Sequence, residues 1–171
     1  MKIVLVGYMG SGKTTIGKLV AKRLKIKFLD LDAYIEKAER QTISQLFLDK
    51  GELYFRKKEF FYLNEILSSD SNFLLSTGGG TPCYGANMEA ITHATTNSVY
   101  LRVSLNELVR RLSTEKAQRP MIRDIANAEL PEFIGKHLFE RSFYYNQANI
   151  TISYDQNTPE ELANELVKRL V

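Results

Sequence analysis

The sequence predicts an α/β fold, a three-layer sandwich in which a parallel sheet of about five strands carries helices on both faces. Short apolar runs that suit buried strands alternate about five times with segments of helical periodicity, and the connections between them are short. The chain has 171 residues, about the length of one domain, and no linker, repeat or low-complexity segment interrupts it. We therefore expect one domain over residues 1–171.

The first half of the chain predicts three strands separated by helices. Ile3–Val6 is a continuous apolar run bounded by glycine, which is typical of a strand buried on both faces. Apolar residues recur at helical spacing over 13–24 and predict a helix there. Thr42 and Gln45 have the spacing of a capping box. The other elements expected in this half are a strand at 28–32 that ends in carboxylates, helices at 33–39, 42–48 and 52–67, the last two separated by Gly51, and a strand at 73–77.

The second half predicts two more strands, each followed by a helix. A strand at 98–103 leads into a second capping-box pattern, formed by Ser104 and Glu107. Thr158 and the residues after it combine an N-cap, a proline in the first helical turn and a capping glutamate, which opens the C-terminal helix. The remaining elements expected are a helix at 105–112, an unpatterned polar stretch at 113–123, a helix at 131–145 and a strand at 149–153.

Composition excludes several classes of protein. Hydrophobic residues make up 44% and charged residues 25% of the chain, as in an average globular domain, which disfavours disordered and fibrous proteins. The net charge of +3 is too small for bulk nucleic-acid binding. The single cysteine, Cys83, cannot form an internal disulfide, and no role is assigned to it. No apolar run approaches the ~20 residues of a membrane span. We expect a soluble, cytoplasmic monomer without nucleic-acid or membrane partners.

Residues 7–14 match the phosphate-binding pattern G-x-x-x-x-G-K-[ST] and lie between a predicted strand and a predicted helix. Glycines let the backbone curl so that N–H groups point at phosphate oxygens, and the N-terminus of the following helix reinforces this. Lys13 is expected to reach the β- and γ-phosphates, and the Thr14 hydroxyl to bind Mg²⁺. An incidental glycine-rich turn would match by chance on the order of one time in a hundred. The motif therefore predicts ATP or GTP binding in a P-loop NTPase-type fold.

Carboxylates and glycines follow two other predicted strands, where ligands of such sheets collect. Asp30 and Asp32 would point to the same side of an extended chain, and a carboxylate there can hold a metal-bound water or accept a proton from an attacking hydroxyl. Helix capping is the alternative for Asp32, but the neighbouring phosphate loop favours a chemical role. The triple glycine at 78–80 is costly in backbone entropy, which favours close approach to a ligand over a flexible turn.

Three arginines are candidate anion-binding groups, although a solvated or structural arginine is the alternative for each. Arg56 lies between Phe55 and Glu59, a salt-bridge partner at i+3 that would hold the guanidinium for two-pronged carboxylate binding. Arg119 lies in the unpatterned basic stretch, which would behave as a lid that brings a cation onto the transferring phosphoryl group. Arg141 lies near the end of the following helix and is a second candidate anion clamp.

In this order, these motifs resemble the shikimate kinase family over nearly the whole chain. The resemblance implies a nucleoside-monophosphate-kinase-like fold and ATP- and Mg²⁺-dependent phosphoryl transfer to the 3-hydroxyl of shikimate. The product would be shikimate 3-phosphate, an intermediate of chorismate and aromatic amino acid biosynthesis. The segments that carry the resemblance are GYMGSGKTT at 7–15, FLDLD at 28–32, FR at 55–56, STGGG at 76–80, RP at 119–120 and RSFYY at 141–145.

The resemblance also implies a role for individual residues. Asp32 would contact the substrate hydroxyls and act as base or orient the nucleophile, and Asp30 would hold Mg²⁺ through a water. Arg119 would be the lid arginine, within a lid at about 113–124, and a shikimate-binding region would span about 31–62. The substrate carboxylate and its pocket would involve Arg56, Arg141, Gly78, Gly79 and Gly80. The ATP contacts would be Gly10, Ser11, Gly12, Lys13, Thr14, Thr15 and Arg119, with Arg111, or Arg110 beside it, and Asn157 within 157–159 near the adenine.

Two other functions remain open from the residues alone. One is a different small phosphate-loop kinase, acting on a sugar acid such as gluconate or on a nucleoside monophosphate. The other is a regulatory module that binds a nucleotide without catalysis. The presence of Lys13, Asp32 and Arg119 argues against the regulatory module, because such modules tend to lose the groups that stabilise a transition state.

Overall fold

The computed structural model describes all residues 1–171 and contains a single five-stranded sheet with seven α-helices. The strand order is β2-β3-β1-β4-β5, and every neighbouring pair is parallel. This arrangement confirms the predicted α/β fold class. The strands are β1 Lys2–Val6, β2 Lys27–Asp30, β3 Phe73–Ser76, β4 Ser98–Arg102 and β5 Ile150–Ser153. The helices are α1 Lys13–Leu24, α2 Leu31–Glu39, α3 Ile43–Ser68, α4 Asn87–Ala94, α5 Leu105–Glu115, α6 Leu130–Tyr145 and α7 Pro159–Leu170.

The central strand β1 lies between β3 and β4, and helices cover both faces of the sheet around it. Residues 3–6 of β1 are all fully buried, although successive side chains of a strand point to opposite faces. These residues belong to one continuous core of 35 buried hydrophobic side chains. Helix α1 packs against α7 and against β2 and β3, and α5 packs against α6. None of the helices combines the length and apolarity that crossing a membrane requires.

The strand order brings three loops together at the carboxyl end of the sheet. The chain leaves β1 into the phosphate loop, then builds β2 two positions away, and later inserts β3 between them. The turn after β3, with its triple glycine, therefore lies between the phosphate loop and the start of α2. A side chain on Gly79 would lie 3.2 Å from the Met9 nitrogen of the phosphate loop. This edge of the sheet is where ligands of such folds bind.

The boundary between β2 and α2 differs from the sequence prediction. The strand ends at Asp30, and Leu31 already begins the helix, so the expected strand at 28–32 is too long. The cap is Asp30, whose Oδ1 accepts a hydrogen bond from the Ala33 nitrogen at 3.1 Å, and not Asp32. Leu31 and Ile35 are both fully buried at i, i+4 spacing. Burial of this helical pair ends the strand early and moves Asp32 into the first helical turn.

The remaining differences concern local helical signals. Gly51 interrupts α3 with φ +82° and ψ +171°, as its position between two helical segments predicts. The capping box at Thr158 has both of its hydrogen bonds. At Thr42 and Ser104 only the cap side chain accepts a hydrogen bond from the backbone nitrogen three residues later. In the latter two, the partner side chains bond elsewhere, Gln45 to Asp49, and Glu107 to Arg110 and Arg111. Helix α4 was not predicted from sequence, because its buried apolar residues are few and Ala86 supplies no side-chain cap.

Candidate active site

The phosphate loop joins β1 to α1 and surrounds a buried cation. Gly10 and Gly12 have φ values of +79° and +86°, which favour glycine. The Lys13 Nζ donates to the backbone oxygens of Gly7 at 2.7 Å and Tyr8 at 3.0 Å. Burial lowers the pKa of Lys13 to about 8, although the charge of Asp32 opposes this shift. Lys13 is therefore mostly protonated at neutral pH and lies at a helix N-terminus, an arrangement that attracts phosphate.

A hydroxyl and a carboxylate meet beside this loop. The Thr14 Oγ1 donates to the Asp30 Oδ2 at 3.2 Å. Thr14 and Thr15 are both exposed at the first turn of α1. Hydroxyl and carboxylate oxygens are ligands that Mg²⁺ accepts, and it commonly takes few protein ligands, the rest being water and phosphate. The residues present fit such an ion, and they form no group of three metal-binding side chains.

Asp32 faces the triple-glycine turn from the first turn of α2. A side chain on Gly78 would lie 3.1 Å from the Asp32 Oδ1, so the absence of one leaves room for the carboxylate. Burial, together with the charges of Asp30 and Glu59, raises the pKa of Asp32 to about 6, and the charge of Lys13 opposes this rise. A carboxylate with a pKa near neutrality suits proton transfer at physiological pH.

Two guanidinium groups converge on the same turn. A side chain on Gly80 would lie 3.0 Å from the Arg56 Nη2 and 3.2 Å from the Arg141 Nη2. The Arg56 Nη1 donates to Glu59 Oε1 at 2.8 Å. Arg141 is only 8% exposed and forms no ion pair with any carboxylate of the chain. Arg56 also pairs with the exposed Glu52 at 3.7 Å, whereas Arg141 has no carboxylate partner in the chain, so the position between the two guanidinium groups would bind a carboxylate ligand.

Arg56 is held by Phe55 and Glu59, as its sequence position predicts, and by Tyr84, which sequence reasoning missed. The Thr81 Oγ1 donates to Glu59 Oε2 at 2.8 Å, and Glu59 is almost fully buried. The Arg56 Cζ lies 3.7 Å from the centroid of the Tyr84 ring and 5.1 Å from that of Phe55. Nothing in the sequence around Tyr84 indicates this contact, because it depends on how the turn after β3 packs against α3.

The arginines of α5 separate into an inner and an outer residue. The Arg111 Nη1 donates to the Gly10 oxygen of the phosphate loop at 3.1 Å, and its Nε donates to Glu107 Oε1 at 2.9 Å. Arg110 is exposed and bonds only to Glu107. Arg111, and not Arg110, therefore lies beside the phosphate loop. Asn157 lines a groove of about 910 Å³ at the carboxyl ends of β4 and β5, and no residue of the phosphate loop lines that groove.

Arg119 lies in a segment that is more ordered than its sequence predicts. Helix α5 continues through residues 113–115, and a turn of 3-10 helix follows at Lys116–Gln118. The Arg119 Nη2 pairs with Glu115 Oε2 at 2.8 Å, and both side chains are partly exposed. The charge of Arg119 contributes to lowering the pKa of Lys13. Two residues attach this segment to the rest of the protein. Lys116 donates hydrogen bonds to the Ile125 backbone oxygen and to the Asn127 side chain, and Ile122 is fully buried in the core.

Sequence reasoning missed two tyrosines that bond to the two loops, and it also missed the buried contact of Tyr8, which belongs to the phosphate loop itself. Tyr8 is 1% exposed, and its hydroxyl is 2.8 Å from His137 Nδ1. Tyr145 and Tyr154 bond to backbone oxygens of the triple-glycine turn and the phosphate loop, respectively. Their aromatic character fits the core equally well, so no sequence signal distinguishes them. Cys83 is half-buried, and burial raises the pKa of its thiol.

Comparison with known proteins gives consistent matches over nearly the whole chain. The family model for shikimate kinase matches residues 9–171. The shikimate kinase of Flavobacterium psychrophilum is 46% identical over 169 residues, covering 99% of this chain and 98% of that protein. The crystal structure of shikimate kinase from Bacteroides thetaiotaomicron superposes with a TM-score of 0.89 at 39% identity, covering 99% of this chain and 96% of that one.

A second solved structure is that of shikimate kinase from Acinetobacter baumannii in complex with shikimate. It has a TM-score of 0.88 and 32% identity, and the match covers 99% of this chain and 92% of that one. Both solved structures share more than 30% identity with this chain along nearly its full length and have TM-scores of 0.88 or higher. The chain belongs to the shikimate kinase family.

Proposed function

We propose that this chain transfers the γ-phosphoryl group of ATP to the 3-hydroxyl of shikimate, giving shikimate 3-phosphate for chorismate biosynthesis. The observation that carries the proposal is the convergence of Arg56 and Arg141 on Gly80, directly beside the phosphate loop. Gly79 lies between the arginine pair and the phosphate loop, since a side chain on it would lie 3.5 Å from Arg141 Nη1 and 3.2 Å from the Met9 nitrogen. An organic carboxylate and a nucleotide triphosphate would thus bind next to each other.

The acceptor end supports a small hydroxylated acid as substrate. A carboxylate between Arg56 and Arg141 would receive charge-assisted hydrogen bonds from one partly buried and one buried guanidinium group. Asp32 lies across the glycine turn from them and would accept hydrogen bonds from the substrate hydroxyls. Because its pKa of about 6 leaves Asp32 largely ionised at pH 7, it would orient the attacking hydroxyl and accept its proton.

The donor end supports phosphoryl transfer, which depends mainly on positioning and on neutralising charge. Lys13 would exchange its bonds to the Gly7 and Tyr8 oxygens for bonds to the β- and γ-phosphates. Arg119 would leave Glu115 and bind the transferring phosphoryl group when its segment closes. The loop residues Gly10, Ser11, Gly12, Thr14 and Thr15 would contact the phosphates through backbone and hydroxyl groups. Arg111 and Asn157 would lie on the adenine side.

Magnesium would bind where Thr14 and Asp30 meet, with Asp30 acting through a water. When bound there, the ion neutralises phosphate charge and fixes the geometry of the triphosphate. Removal of divalent ions with EDTA should abolish turnover, and Mg²⁺ should restore it. The variant Asp30→Asn should raise the Mg²⁺ concentration required for half-maximal rate.

The proposal also covers the organisation of the protein. A single domain over residues 1–171 would contain a shikimate-binding region at about 31–62 and a lid at about 113–124. The continuous core of 35 side chains supports one domain. We propose a monomer that acts in the cytoplasm, where ATP is available, without nucleic-acid or membrane partners. Light scattering of the purified protein tests the oligomeric state.

A coupled assay of ADP release tests the function directly. Shikimate, gluconate, AMP and CMP are offered in parallel at equal concentration, and the product of the active reaction is identified by mass. We expect turnover with shikimate alone. Turnover confined to gluconate or to a nucleoside monophosphate would refute the proposal.

Variants separate catalysis from simple nucleotide binding. Asp32→Ala should leave the affinity for ADP nearly unchanged and reduce turnover by roughly a hundredfold or more. The matched control is Asp70→Ala, which removes an exposed aspartate that forms no hydrogen bond or ion pair through its side chain. Equal loss of ADP affinity and turnover in Asp32→Ala would assign Asp32 a structural role instead.

A further inference from the structure

Two buried tyrosines bond to the backbone of the phosphate loop and of the triple-glycine turn. The Tyr154 hydroxyl, just after β5, donates to the Ser11 oxygen of the phosphate loop. The Tyr145 hydroxyl, at the end of α6, donates to the Gly79 oxygen of the triple-glycine turn at 2.5 Å. Both side chains are at least nine-tenths buried. Each tyrosine therefore bonds to one carbonyl in one of the two loops.

The planarity of the peptide bond gives these contacts a consequence for the ligand side. In a trans peptide the carbonyl of one residue and the N–H of the next point in opposite directions. A donor that holds the Ser11 oxygen therefore directs the Gly12 N–H the other way, and a donor on the Gly79 oxygen does the same for Gly80. Neither of these two N–H groups has a hydrogen-bond partner within the chain. Both are free to donate to a bound anion.

Contacts around Tyr154 reinforce its hold on the phosphate loop. A side chain on Gly12 would lie 2.8 Å from the Tyr154 hydroxyl, so the loop and the tyrosine are closely packed. The Arg111 guanidinium lies 5.3 Å from the centroid of the Tyr154 ring. Arg111 itself donates to the Gly10 oxygen. Two consecutive carbonyls of the loop are thus held outward by two neighbouring side chains.

We infer that Tyr154 and Tyr145 are positioning residues that orient the Gly12 and Gly80 N–H groups toward ATP and shikimate, respectively. The assignment of Gly80 to shikimate rests on the proposed function, whereas the assignment of Gly12 needs only nucleotide binding. A purely structural role for either tyrosine would lower the stability of the fold without selecting one substrate. The distinguishing property is that each hydroxyl acts on one ligand.

The test removes one hydroxyl at a time and measures both substrates. Tyr154→Phe should raise the KM for ATP and the Kd for ADP about fivefold, the effect of one hydrogen bond of ordinary net strength, and leave the KM for shikimate unchanged. Tyr145→Phe should show the opposite pattern, with a rise in the KM for shikimate alone. The matched control is Tyr100→Phe, because Tyr100 is buried beside Tyr145 and its hydroxyl bonds to no group of the chain.

Several outcomes would overturn the inference. These are unchanged constants in Tyr154→Phe and Tyr145→Phe, equal rises for both substrates in each, or the same effects in Tyr100→Phe. A measurement on the unaltered protein avoids any dependence on variant folding. In ¹⁵N spectra, adding ADP should change the chemical shift of the Gly12 amide but not that of Gly80, and adding shikimate should change that of Gly80 but not that of Gly12. Absence of those shifts also refutes the inference. Failure of the unaltered protein to turn over shikimate would refute the proposed function, while calorimetric ADP binding would still test Tyr154.

Discussion

Replacing Asp32 with asparagine should make the protein more stable while it removes activity. Burial and the nearby carboxylates raise the pKa of Asp32 from an ordinary 3.8 to about 6, so the folded state favours the protonated form. At about 1.4 kcal/mol for each tenfold change in the acid constant, ionised Asp32 costs the folded state about 3 kcal/mol at pH 7. Asparagine has nearly the same shape and does not ionise. We therefore expect the free energy of unfolding of Asp32→Asn to exceed that of the unaltered protein by up to about 3 kcal/mol at pH 7.

The sign and the pH window of this effect follow from the raised pKa. The stability that the protonated carboxyl contributes is fully present below pH 3.8 and is lost as the pH rises through 6. The advantage of Asp32→Asn should accordingly be largest at pH 7 and above, and about half as large at pH 5. Urea unfolding without ligands at both pH values measures it, with Asp70→Asn as the exposed control. Turnover should fall by roughly a hundredfold or more.

Two results would contradict this reasoning about Asp32. If Asp32→Asn were no more stable than the unaltered protein at pH 7, burial of the ionised carboxylate would not be costly. If the gain in stability were the same at pH 5 and pH 7, it would come from packing and not from ionisation.

Four further expectations concern the same site. Arg56→Lys should raise the KM for shikimate about ten- to a hundredfold, because an ammonium cannot reproduce a two-pronged contact, and steady-state kinetics against Arg169→Lys, an exposed control, would detect it. Arg119→Ala should lower kcat about a hundredfold or more with little change in calorimetric ADP affinity, and equal loss of both would contradict its action on the transferring group. The pH profile of kcat/KM should fall below pH 6, where Asp32 becomes protonated, and above pH 8, where Lys13 loses its proton; a profile flat from pH 5 to 9 would exclude both assignments. Gly12→Ala should abolish ADP binding, since its φ is +86° and the added methyl would lie 2.8 Å from Tyr154, and retained micromolar binding would show that the loop adapts.

Most features that depend on neighbouring residues were predictable from the sequence, although two of the three expected capping boxes formed only in part. The helix expected at 13–24 has those bounds, and Gly51 and the Thr158 capping box act as their local patterns indicate. The phosphate loop was recognised for the same reason, because its glycines, Lys13 and Thr14 act within one turn of chain. Errors occurred where packing overrode a local pattern, as when burial of Leu31 and Ile35 converted the end of the expected strand into helix.

The fold class, the phosphate loop and the family could be predicted from the amino-acid sequence, because they follow from local patterns and from the order of the motifs. The assembly of the site, in contrast, depends on contacts between residues far apart in the chain. Arg56 on α3 and Arg141 on α6 are each one arginine in a helix, and only the insertion of β3 between β2 and β1 places them on one glycine turn. The contacts of Tyr145 and Tyr154 likewise join residues far apart in the chain. Which side chains meet at the edge of a sheet depends on the order of its strands, and no periodicity along the chain encodes that order.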